Sequence, residues 1–211
     1  MKKVFYILLI TLTLINCDKT IKKDHGSTKE TFYYPRMTSF QNDSLLKKVE
    51  IDSLKNFGEL LKLTDEIVCD NKIPMIYFEN EKAEFKFLMG KECLIVLNIA
   101  DYKERNVIFI QGDSIIINDK ITKPLDNIDK VLKKHILNNG KDPKYSTSIE
   151  ESIIFYHQDS SFKSQDIKKQ LLKISYAFHE MRKTNGDSIP LKMKLQDYGY
   201  IYVEEPPIPI E

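Results

Sequence analysis

The sequence predicts an α+β fold, a small mixed sheet with two or three amphipathic helices packed on it. Three observations lead there. Apolar residues recur at spacings of three and four in separate stretches, the mark of helices with one buried face. Between them lie short β-branched segments bounded by turn residues, the mark of strands. With 211 residues, 42% hydrophobic and 30% charged, the chain can fill one core.

Residues 1–16 precede the domain. Lys2 and Lys3 lead a short apolar run from Val4 to Ile15. About a dozen apolar residues are too few to span a bilayer as a helix, so the segment reads as a cleaved export signal. It ends Leu14-Ile15-Asn16-Cys17, which resembles the lipobox of bacterial lipoproteins. That resemblance implies cleavage before Cys17 and lipidation of its thiol. Two or three acyl chains hold a protein on a membrane almost permanently. Asn16 departs from the small residue that family places before its cysteine. The alternative is an ordinary signal with an incidental cysteine, but no A-x-A-type site precedes Cys17. Residues 17–42 are polar and read as a tether, with Phe32, Tyr33 and Tyr34 able to pack back on the domain.

The domain is expected over residues 43–211. A helix is expected over 43–63, capped by Asp43 or Ser44, with Leu46, Val49, Phe57, Leu60 and Leu61 near helical spacing. Residues 73–78 and 83–88 read as a hairpin around Glu79-Asn80-Glu81-Lys82. Residues 93–100, 107–111 and 114–118 read as strands, the last two joined by Gly112-Asp113. Asn118-Asp119-Lys120 reads as another turn. Pro124 suits the first turn of a helix carrying Leu125, Ile128, Leu132 and Ile136 and stopping near Asn138-Asn139-Gly140. Residues 152–157 read as a buried strand. Ser164 is expected to cap a helix to about residue 183, with Ile167, Leu171, Ile174, Phe178 and Met181 on one face. Leu191, Met193 and Leu195 then alternate, followed by Tyr198, Tyr200 and Tyr202 and a Pro-rich end.

The order strand, turn, strand, helix, strand, helix over about 107–183 resembles the periplasmic domain of ExbD and TolR, small subunits of proton-driven envelope complexes. The matching positions are Ser114 to Ile121 with Leu125, Ile128 and Leu132, then Ile154 to Asp159 with Phe162, Leu171 and Leu172. Asp159 stands where that family's strand ends in Asp. The family's membrane helix with its proton-handling Asp is absent here. The resemblance therefore implies the fold, envelope partners or peptidoglycan, and a homodimer, without the proton-channel role.

Composition removes several function classes. Lys+Arg 32 against Asp+Glu 31 gives a net charge of +1, with no basic excess for nucleic acid. Cleavage before Cys17 removes Lys2 and Lys3 and no acid, leaving a net of −1 from the same counts. Seven Gly and no Walker or dinucleotide motif argue against phosphate cradling. No G-x-S-x-G elbow and no paired zinc-ligand spacing occur, so neither a metal nor a cofactor is expected. Cys69 and Cys93 form a disulfide if the domain is exported, or remain two buried thiols. His135 and His179 are expected on helix surfaces. His157 beside Asp159 is the one candidate general base. Glu150 and Glu151 are expected to be solvated, and the Lys133-Lys134 and Lys168-Lys169 pairs to be solubilising helix faces. Tyr198, Tyr200 and Tyr202 share one face of an extended segment and are the candidate partner-binding residues.

The reading that follows is a non-enzymatic binding or assembly protein of the cell envelope, lipid-anchored to the inner or outer membrane with its domain outside the cytoplasm. An envelope hydrolase using His157 and Asp159, or a lipoprotein component of a surface uptake system, is the alternative.

Overall fold

The computed structural model describes residues 29–40, 43–91, 93, 102–118, 120–186 and 189–197. The signal segment, Cys17, residues 94–100 of the strand expected over 93–100 and the Tyr198–Tyr202 ladder lie outside them. The fold is α+β: a mixed nine-stranded sheet with three helices. The strands are β1 (Glu30–Tyr34), β2 (Leu46–Glu50), β3 (Ile73–Glu79), β4 (Ala83–Gly90), β5 (Val107–Gln111), β6 (Ser114–Ile117), β7 (Ile121–Pro124), β8 (Ile153–His157) and β9 (Met193–Leu195). The helices are α1 (Phe57–Cys69), α2 (Ile128–Ile136) and α3 (Ser164–Asn185).

The sheet runs β2-β3-β4-β9-β8-β5-β6-β7, and β1 also pairs with β4. β3 occupies one side of β4. On the other side β4 changes partner along its length. Residues Ala83 to Phe87 pair with β1 and residues Met89 and Gly90 with β9, both in parallel. Two β-α-β units flank this junction, β2-α1-β3 and β8-α3-β9.

Alternation decides which face each strand buries. Ala83, Phe85, Phe87 and Met89 of β4 point into the core, and Glu84, Lys86, Leu88 and Gly90 point away. Leu60, Leu132, Leu171 and Phe178 bring all three helices into that same core. β5 and β8 are buried on both faces, which fits their unbroken apolar sequences. Val107, Phe109, Ile153 and Phe155 form a second cluster on the sheet face away from the helices.

Several expectations change. The segment read as tether contains β1. Tyr34 is buried, stacks on Phe87 at 4.5 Å, and donates its hydroxyl to Ser175 O at 3.1 Å. The helix expected over 43–63 begins only at Phe57, capped by Asn56, whose Oδ1 accepts from Glu59 N at 3.0 Å. Leu46 and Val49 belong instead to β2, because parallel pairing with β3 buries Val49. Residues 121–124 form an edge strand, so Pro124 ends β7 before a 3-10 turn. Ser164 begins α3 without capping it, and its N–H donates to Lys55 O. The expected hairpins over β3-β4 and β5-β6 are present. Gly112 holds the second turn at φ +57, a left-handed conformation that favours glycine.

Candidate functional site: a groove where β4 changes partner

A groove of about 560 Å³ lies where β4 passes from β1 to β9. Leu88, Gly90, Lys194 and Ile153 form its floor. Leu88 and Gly90 are outward members of β4, and Ile153 belongs to the second cluster, so the groove opens on the helix-free face. Tyr102 stands against the floor with its ring edge-on to Phe155 at 5.3 Å. Lys194 Nζ lies 5.2 Å from the centre of that ring. Gly90 permits this arrangement, because a Cβ there would meet Lys194 Cγ at 2.9 Å. The lysine stem therefore crosses β4 directly over the glycine.

The opposite wall is polar and fixed. Asn106 is buried, and its Oδ1 accepts from Thr147 N at 2.8 Å. Asn106 Nδ2 donates to Glu151 Oε2 at 2.6 Å. Hydrogen bonds from Thr147 first, then Asn106, hold the Glu151 carboxyl below the usual carboxylate range. Arg105 fastens the same loop through Tyr145 O at 2.9 Å and Asp142 O at 3.1 Å. Lys192 donates to Glu150 O. The groove thus sets Lys103, Lys192 and Lys194 beside Glu150 and Glu151 over an apolar and aromatic floor. Such a mixture recognises a partner carrying both signs of charge around an apolar group.

The residues expected to carry chemistry lie elsewhere. Among the described residues His157 and Asp159 do not bond one another. His157 Nδ1 meets Gln196 O at 3.0 Å, and its ring stands edge-on to Phe57. Asp159 Oδ1 accepts from Ser161 N at 2.8 Å and Ser161 Oγ at 2.5 Å. These two bonds, the hydroxyl first, lower the Asp159 carboxyl below its ordinary range. Asp159 thus closes the turn into α3. Cys69 and Cys93 are joined by a disulfide, with 4.9 Å between their Cα atoms. His135, expected on a helix surface, is fully buried with Nε2 at 3.2 Å from Asn106 O. Glu150 and Glu151 are exposed, as expected, and the Glu151 carboxylate is also hydrogen-bonded in the groove wall. No cluster of three or more metal-ligating side chains occurs among the described residues. Among them no helix is long and apolar enough to cross a membrane.

Part of the groove had a sequence signal. Lys192 and Lys194 interleave with Leu191, Met193 and Leu195, so period two places Lys194 opposite the core side chains. Tyr102 and Asn106 carry no such signal. Comparison with protein-family models, with curated proteins and with solved structures gives no match.

Proposed function

We propose that the protein is a lipid-anchored cell-envelope protein that acts by binding, held to the membrane through Cys17, with residues 107–183 forming an ExbD/TolR-like module. The groove at the β4 junction carries this reading. Its recognition side chains sit on strands and on a hydrogen-bonded wall, so they are held ready for a partner. An envelope protein or peptidoglycan fits a groove lined by both charges. The bond between the exposed Cys69 and the half-buried Cys93 suits an oxidising compartment outside the cytoplasm.

The test uses the native chain with a photo-crosslinking amino acid at Lys103, an exposed residue on the groove rim. A second chain carries it at the exposed Lys62 of α1. A discrete, saturable adduct with an envelope component from position 103 and none from position 62 is expected. Intact mass of the membrane-extracted protein is expected to match residues 17–211 plus acyl chains, and Cys17→Ser to lose them. An unacylated chain retaining residues 1–16 would overturn the anchoring, and equal adducts from both positions would overturn the groove.

A further inference from the structure

A second concavity, of about 300 Å³, lies between α2 and the edge strand β7. Its floor is apolar: Ile117, Ile121 and Val131, with the Tyr145 ring at one end. Its rim is cationic. Lys130, Val131 and Lys134 stand on α2 and Asn127 holds its N-cap position, at spacings of three and four that place all four on one face. Lys123 faces them from β7. Its register partner is Ile115, a core residue on the helix side of the sheet, and directly paired residues share a face.

The three lysines are exposed, and among the described residues none forms an ion pair. Lys134 Nζ lies over the Tyr145 ring at 4.6 Å. Asp126, the nearest acid in sequence to Asn127, is taken by Lys173 at 2.5 Å. Asp129 falls off the shared face of α2 by the same spacing rule. Among the described residues the cleft therefore carries positive charge with no paired acid over an apolar floor, on a chain whose total charge is close to zero.

Among the described residues β7 pairs with β6 only and ends the sheet. Its outer edge offers backbone groups to an added strand. Lys123 and Pro124 guard that edge against indiscriminate pairing, and the lysine favours a strand bearing acids.

We propose that this cleft docks an extended acidic peptide, which pairs with the outer edge of β7 and seats an apolar side chain between Ile121 and Val131. Its carboxylates meet Lys123, Lys130 and Lys134. A strand places alternate side chains on one face, so acids two positions to either side of one apolar residue match a narrow floor with charges on both sides. A membrane surface fits less well, because a concave site between a helix and a strand presents its lysines around a cavity, not on a plane. The site is separate from the β4 groove and does not depend on lipidation.

The probe is a set of fluorescent eight-residue peptides in which Glu, one of Ile, Val or Phe, and Glu stand at successive alternate positions with Thr between them, so that all three share a face, titrated by anisotropy against the full chain in detergent. Saturable binding that weakens steeply with salt is expected, with chemical-shift changes at the Ile121 methyl groups. Lys130→Glu with Lys134→Glu is expected to weaken it at least tenfold. The control, Lys62→Glu with Lys82→Glu, changes charge equally at two exposed positions elsewhere and is expected to leave binding within twofold. Thermal melts establish that both variants fold. No saturable binding by any peptide in the set would overturn the proposal, as would equal weakening in the control variant. Tighter binding to phosphatidylglycerol vesicles than to every peptide would overturn it in favour of a lipid surface.

Discussion

His135 sits inside the core with no exposed surface, and among the described residues its Nδ1 has no hydrogen-bond partner. Burial pushes its pKa down to about 4, only partly opposed by the contact with Asn106 O. The folded state therefore keeps the ring neutral, while the unfolded chain takes a proton near pH 6.5. Stability is complete above that pH and falls as the pH drops toward 4, where the unfolded state binds more protons. The loss is on the order of 3 kcal/mol by pH 4. Urea unfolding at pH 7.5, 5.5 and 4.5 checks it, and a His135→Gln variant that folds is expected to show a shallower decline. This histidine was read from the sequence as a surface residue. The turn after α2 decides otherwise. Asn138 donates to Asp142 O at 2.8 Å and to Ser146 O at 2.7 Å, folding the following loop over the ring.

At the scale of elements, helices with a full apolar stripe were legible and short strands were not. α3 shows its face over about four turns, and its Ile167, Leu171, Ile174, Phe178 and Met181 are all buried. Leu46 and Val49 of β2 stand three apart and so mimic a helix. Only pairing with β3, more than twenty residues further on, settles their state. The groove was legible to the same limited degree, since the residues of β4 and β9 that form it meet across about a hundred positions. The C-terminal residue of α1 shows what such long-range ties contribute. Cys69 closes a sequence separation of 24 residues with Cys93, spanning the β3-β4 hairpin. Closing a loop of that length stabilises the fold by about 3 kcal/mol. Replacing both cysteines with serine is expected to shift the urea midpoint accordingly. An unchanged midpoint would mean that the hairpin is held without the bond.

For the whole molecule, the first described strand matters most. β1 supplies Phe32, stacked on Phe85 at 5.2 Å, and the fully buried Tyr34. A chain beginning at residue 43, the boundary that the polar composition of 17–42 suggests, lacks both. It is expected to lose about 4 kcal/mol or more relative to one beginning at residue 29, since removing one buried aromatic ring costs about that much. Calorimetry of the two chains measures it, and matching transitions would place β1 outside the cooperative unit. The polar residues around Phe32 to Tyr34 hid this strand, whose role comes from register with Ala83 to Phe87.

That register also has a mechanical side. β1 enters the sheet at Glu30 and β9 leaves it at Leu195, and both run parallel to β4. A tug that separates residue 29 from residue 197 therefore drives β1 and β9 in opposite directions along the strand axis. The backbone bonds to β4 then share the load together and do not peel apart one at a time. A chain hauled between a surface and a partner would meet its greatest resistance along this line, with the tie set in the middle of the sheet.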